Sequence, residues 1–273
     1  MESMNIATLR IGAISEVSEN ANAYASRAKS GANRLSLTIR GESLEGASGE
    51  PTIVQNLLSR QEEDLLIQGA TVLAYRRGQA LFSEGQDASF LYFIGDGIIR
   101  MSRCAENGHR QILSFRLPGD ILGLSESGQY SSSAETVSAA QVYRVPWKRM
   151  QQAMLIEPEL QLHLFMKVAN DYRQAEDRIV ILGQQNTCQR LISFILGLLQ
   201  LPELFDKKQS LLRIPVNRFD LADYLGTVTS SSERSFAKLE SLGLIRRVTS
   251  RTVQIIDLSG LQRLQCEQRR GHH

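Results

Sequence analysis

The sequence predicts an α+β chain: a roll of short β-strands, then one long helix, then two short helices closed by a β-hairpin. Three observations carry this. Between residues 70 and 147, apolar clusters of three to five residues are punctuated by glycines, the pattern of many short strands and tight turns. From Pro158 the apolar residues fall into 3-4 spacing for more than twenty positions. At 214–257, IPVNRFDLADYLGTVTSSSERSFAKLESLGLIRRVTSRTVQIID, two helical patterns meet at Gly226 and run into alternation.

Residues 1–50 are rich in Ser, Ala, Asn, Gly and Glu, and Leu35-Ser36-Leu37-Thr38-Ile39 is a short apolar cluster among them. This composition predicts a largely disordered extension. The β-roll is expected over 51–148. Phe90, Tyr92 and Ile94 alternate before the turn at Gly95-Asp96-Gly97, Ile98, Ile99 and Met101 lead into the next strand, and Ala105-Glu106-Asn107-Gly108 closes a hairpin. The long helix is expected over 149–185, with Leu162, Phe165, Ala169, Tyr172, Ile179 and Leu182 along its stripe. Such a stripe needs a cover, either the roll or a twofold partner. A dimer helix is the favoured reading, although Glu176 falls in the seam.

The last domain, 186–273, reads as a winged helix-turn-helix. Phe219, Leu221, Ala222 and Leu225 give the first helix its apolar positions, and Gly226 permits the left-handed turn. A second helix can begin at Thr227 or Thr229, with Val228, Phe236, Leu239 and Leu242 inward. Its polar residues suit a DNA major groove: Thr229, Ser230, Ser231, Glu233, Arg234 and Lys238 are the candidate contacts. Gly243 ends that helix. Ile245, Val248, Val253 and Ile255 then form a hairpin, the wing, with Arg251 at its turn as a further contact. Charge agrees with this assignment. Residues 207–273 carry twelve Lys/Arg against six Asp/Glu, whereas the rest of the chain is net negative, as expected when one domain meets phosphates.

Composition narrows the alternatives. No basic segment followed by an apolar run opens the chain, and the longest apolar stretch, 191–201, is too short to span a bilayer, so a cytoplasmic protein without a membrane contact is expected. The four histidines, His109, His163, His272 and His273, form no ligand cluster, which counts against a metal-dependent enzyme built on a β-roll. No catalytic residue, metal or cofactor is predicted. Cys104, Cys188 and Cys266 have neither disulfide-framework nor zinc-ligand spacing. Cys188 is a candidate redox thiol, because a helix N-terminus and Arg190 can lower its pKa. The bland alternative is an inert packing cysteine.

The segments RRGQALFSEGQDASFLYFIGDGIIRMSR, NGHRQILSFRLPGDILGL and LADYLGTVTSSSERSFAKLESLGLI, in this order, resemble the CRP/FNR superfamily of bacterial transcription regulators over roughly residues 55–262. GHRQILSFRLPGDILGL is most similar to its FNR/FixK side. The resemblance implies a cyclic-nucleotide-binding-like jelly roll, a homodimer on double-stranded DNA, and RNA polymerase as a partner. It also implies tests of the sensor. Gly123-Leu124-Ser125 stands where a cyclic-nucleotide member has Gly-Glu-Leu, and Ser131-Ser132-Ser133 where it has an arginine for the phosphate. No cysteine precedes Cys104 to hold an iron–sulfur cluster. Cys104 and His109 flank a predicted turn and are candidate haem ligands, with a hairpin cysteine and a solvent-facing histidine as the simpler reading.

What remains resembles the FixK type: an activator binding a palindromic promoter site without a small effector, in low-oxygen or nitrogen-fixation-related control. Two alternatives stand beside it. One is an effector-gated family member answering to haem, cyclic nucleotide or redox state, and the other is a ligand-binding module acting through protein partners. The recognition helix departs from the family's Glu-x-x-Ser-Arg. Here the ungapped match is Ser230-Ser231-Ser232-Glu233-Arg234, which keeps Arg234 for a guanine and puts Glu233 where it can accept from a cytosine amine. Ser232 and Ser235 stand where apolar residues are common. A half-site differing from the family's TTGAT-like sequence, or a slightly rotated helix, is expected.

Overall fold

The structure is a computed structural model that describes residues 35–41, 53–106 and 108–266. Its contacts fall into two compact units. The first holds 35–39, Gln55–Met101 and Phe115–Lys167, and the second holds 40–41, 53–54, Ser102–Ser114 and 168–266.

In chain order the elements of the roll are β1 (Thr38–Gly41), β2 (Ile53–Asn56), α1 (Arg60–Gly69), β3 (Thr71–Tyr75), β4 (Ala80–Phe82), β5 (Phe90–Asp96) and β6 (Ile99–Cys104). They continue with β7 (Arg110–Arg116), β8 (Ile121–Leu122), β9 (Ser133–Thr136) and β10 (Ala140–Pro146). α2 (Trp147–Ile156) and α3 (Glu159–Gln184) follow. β1 pairs with β2, and two four-stranded sheets run in the orders β3-β10-β5-β8 and β4-β9-β6-β7.

β5 explains the roll's hydrophobic pattern. Sequence alternation marks Tyr92 and Ile94 as one buried face, and these pack with Phe82, Ile99, Tyr130 and Val142 inside the roll. The intervening Leu91 and Phe93 are buried as well, in a second cluster with Leu66 of α1, Met150 of α2 and Leu160 of α3. Successive side chains of a strand point to opposite faces, so a strand buried on both faces reads as a continuous apolar run. α1 is fixed at its start by a capping box: Ser59 Oγ accepts from the Glu62 amide at 3.3 Å, and Glu62 Oε2 accepts from the Ser59 amide at 2.7 Å.

Two expectations are corrected here. The extension predicted to be disordered over 1–50 contributes a strand, because Leu35 and Leu37 are both 0 % exposed in the second cluster and the Thr38 amide donates to Gly119 O at 2.8 Å. Leu35 and Leu37 lead into the strand, which begins at Thr38 and which the polar composition around it obscured. Residues 1–34 and 42–50 lie outside the described residues. The single helix expected over 149–185 is two helices, broken at Glu157-Pro158. Proline has no amide hydrogen to donate and pushes the residue before it toward extended backbone, and Glu157 sits at φ −120°, ψ 88°. α2 buries Met150 and Ala153, and α3 carries the stripe.

The second unit contains α4 (Thr187–Leu199), β11 (Phe205–Asp206), β12 (Leu211–Arg213), α5 (Arg218–Leu225), α6 (Thr229–Ser241), β13 (Ile245–Thr249), β14 (Thr252–Ile255) and α7 (Leu258–Cys266). The wing is β13–β14, as the sequence pattern predicts, but it belongs to a wider sheet of order β11-β12-β14-β13. Also in this unit, Arg110 donates from Nη2 to Asp220 and Asp223 at 2.7 and 2.6 Å.

Candidate nucleic-acid interface

The helix pair is built by its ends. Asn217 Oδ1 accepts from the amides of Phe219 and Asp220, both at 2.9 Å, which satisfies two otherwise unpartnered donors of α5. Gly226 ends the helix at φ 62°, ψ 47°, a left-handed conformation that costs side-chain-bearing residues energy. α6 starts at once. Its N-cap is Val228, and neither Thr227 nor Thr229 supplies the expected side-chain cap.

α6 is amphipathic in the sense needed. Phe236 and Leu239 are buried, as expected, and so are Ser232 and Ser235 at 3 % and 7 % exposed. The serines therefore occupy the inward face, and the helix is not rotated to expose them. Ser235 is accommodated because its hydroxyl donates back to Ser231 O at 2.9 Å. Val228 and Leu242, expected inward, are exposed, since they stand at the two caps where the inward face has already ended.

On the outward face lie Ser230, Arg234, Ala237 and Ser241, with Glu233 and Lys238 at opposite edges by the 100° step of the helix. Thr229 and Ser231 are half-buried. Arg234 is exposed, and its Nη2 donates to the neutral Ser231 Oγ at 2.9 Å. Arg251 is exposed at the wing turn next to Thr252, and Arg246, also exposed, lies further along β13 opposite Gln254. The structure thus brings Ser230, Glu233, Arg234 and Lys238 onto one helix surface, with Arg251 on the wing.

Arg247 is absent from the sequence reading. From β13 its Nη1 donates to Glu233 Oε2 at 2.8 Å, its Nε to Glu240 Oε2 at 2.7 Å, and its backbone amide to Glu240 Oε1 at 2.9 Å. The amide bond, with the guanidinium charge behind it, holds the Glu240 carboxyl below its ordinary range. Glu233 and Glu240 are seven residues apart, two turns along one edge. That spacing is the one signal by which the sequence could have suggested a shared cation.

Cys188 does not have the environment expected of a reactive thiol. Burial pushes it above the ordinary thiol range, and Lys238, not Arg190, is the charge that opposes this. The Arg190 guanidinium instead donates to the carbonyls of Gln185, Leu182 and Leu225 at 2.8 to 2.9 Å. Cys104 is exposed at the end of β6, and His109 is exposed across the turn.

On α3, Leu162, Phe165, Ala169, Tyr172 and Ile179 are all exposed, Phe165 at 69 % and Ile179 at 70 %. They follow a strict 3-4-3 alternation through Glu176, whose hydrogen bond with Tyr172 raises the phenol's pKa. Leu182 differs. The alternation continues to Gly183, and Leu182 is half-buried, facing the side of Gly226 where a β-carbon would lie 3.5 Å from it. Leu182 therefore lies one step off the alternation, beside the helix turn. No helix among the described residues is long and apolar enough to cross a membrane.

Residues 72–156 match the cyclic nucleotide-binding domain family, and residues 189–264 match the Crp-like helix-turn-helix domain family. The chain is 30 % identical over 174 residues to the transcriptional activatory protein AadR of Rhodopseudomonas palustris, covering 63 % of this chain and 72 % of that protein. It is 29 % identical over 171 residues to the nitrogen fixation regulation protein FixK of Bradyrhizobium diazoefficiens, again covering 63 % and 72 %. The solved structure of FixK2 from Bradyrhizobium japonicum superposes with a TM-score of 0.66 at 26 % identity, over 71 % of this chain and 96 % of that one.

Proposed function

Because the chain belongs to the CRP/FNR family of DNA-binding transcription regulators, which are not enzymes, we propose that it is a FixK-type homodimeric activator binding a palindromic promoter site without a small effector. The observation that carries this is the outward face of α6, where Ser230, Glu233, Arg234 and Lys238 stand together beside the cationic wing. Arg234 supplies the bidentate pairing with guanine O6 and N7, and Arg251 meets a phosphate. The exposed stripe of α3 supports the homodimer: apolar residues at strict 3-4 spacing are the seam of a two-stranded coiled coil, and a twofold pair matches two half-sites.

Effector independence is supported by the roll itself. Its own aromatic side chains pack within it, with the Phe82 and Tyr130 rings stacked at 3.9 Å between centroids and Tyr92 against Phe82 at 5.3 Å. Ser125 donates to Gln129 O and offers no charge for a ribose or phosphate. The relatives' names supply the setting, activation and nitrogen-fixation-related control, with the low-oxygen control that the family resemblance implies.

The match to the cyclic nucleotide-binding domain family favours a second reading, an effector-gated regulator. In vitro transcription with RNA polymerase separates the two. With a template carrying the protein's selected site and no small molecule, transcript should rise on adding the protein, and cyclic AMP should change nothing. A requirement for cyclic AMP would overturn effector independence, since a ligand shifts an equilibrium only by preferring one state.

A further inference from the structure

We propose that Arg247 is the positioning residue for base selection by Glu233: from the wing it holds one carboxylate oxygen so that the other accepts from the N4 amine of a cytosine. This rests on the reading of α6 as the DNA-facing helix.

Three features of the geometry lead here. First, Arg247 bridges two carboxylates on one edge of α6, and its guanidinium carbon lies 5.8 Å from the centre of the buried Phe236 ring between them. Glu240 is the anchor, since it takes both the backbone amide and the side chain of Arg247. Glu233 is the free end. It is about half exposed and accepts from Arg247 through Oε2, and among the described residues its Oε1 receives no hydrogen bond. Secondly, Glu233 is exposed at the margin of the outward face, next in sequence to the residue assigned to a guanine.

Thirdly, the charge balance requires the arrangement. A lone carboxylate on a helix approaching phosphates is repelled, and a flexible Glu selects poorly among bases. With Arg247 bound, the repulsion is reduced and the carboxylate is oriented, leaving the acceptor that suits a cytosine amine. The wing then contributes to specificity without touching a base.

The test uses the full-length protein and duplexes derived from its own selected site, each with one base pair changed. E233Q, R247M and R247K are compared with wild type. E233Q and R247M are expected to lose preference at one and the same base pair, by about tenfold per half-site, with other positions unchanged. R247K keeps the charge but has a single donor group that cannot span both carboxylates. It should hold non-specific affinity at low salt yet lose the same preference. Near-ultraviolet circular dichroism and the thermal midpoint check that each variant is folded.

If R247M weakens all duplexes equally with every preference intact, Arg247 only braces the wing and the proposal is overturned. The same conclusion follows if E233Q changes no position. R234A distinguishes this failure from a wrong reading of the helix: with α6 reading DNA, it must abolish selectivity at a different position whatever the Arg247 variants do. A wild-type protein that selects no sequence overturns both.

Discussion

Lys167 Nζ lies 2.7 Å from Asp120 Oδ1, and the two side chains are 1 % and 4 % exposed. The pair joins the first turns of α3 to the Leu117-Pro118-Gly119-Asp120 turn of the roll, where Asp120 Oδ2 also accepts from the Leu117 amide at 2.8 Å. Gly119 holds φ 87° there, and a β-carbon on it would collide with Thr38 Oγ1. Strand β1, the turn and α3 are thus fixed at one place. Taking two charges out of water is expensive, and their mutual attraction offsets part of that cost.

Removing one partner should therefore cost more than removing both. K167M is expected to lower stability by about 3–5 kcal/mol, because it removes the buried cation that faces the Asp120 carboxylate. K167M/D120N should recover much of that loss. Urea unfolding of the three proteins measures it, and additive losses in the double variant would mean that the pair is not coupled.

I179E places like charges across the proposed α3 seam. Light scattering should show a monomer with I179E and a dimer with wild type, and DNA affinity should fall with the loss of the second half-site. An undisturbed dimer would mean that the stripe meets some other surface.

Cys188 should react slowly. Burial disfavours the thiolate, so the pKa stands above the ordinary thiol value of about 8.5 and little thiolate forms at neutral pH. Iodoacetamide should modify the exposed Cys104 first, and the rate at Cys188 should keep rising as pH passes that ordinary value. C188S should bind DNA like wild type, with or without peroxide. Fast modification of Cys188 at pH 7, measured by peptide mass spectrometry, would restore a redox role.

The helix-turn-helix was legible because its signals are local: a capping asparagine, apolar positions at helical spacing and a glycine at the left-handed turn. The wing was legible as alternation. Its extension through β11 and β12 was not, since two- and three-residue strands within LFDKKQSLLR carry no period of their own. The strand at 38–41 was hidden by the polar composition on both sides. Ser232 and Ser235 show position overriding polarity, because the helix period places them inward and a backbone carbonyl satisfies Ser235. Arg247 was illegible because its meaning lies in partners 7 and 14 residues away, on another element.

In the proposed function, α6 reads DNA through Arg234 in a twofold-symmetric protein. Selection of bound sequences from a random duplex pool, using the full chain with no added small molecule, tests it most directly. The expected result is a palindrome whose half-sites are centred about 10 base pairs apart, on which an R234A variant loses about 1–3 kcal/mol of affinity per half-site. A pool that yields no palindrome, or an R234A protein that binds the selected site as tightly as wild type, would contradict it.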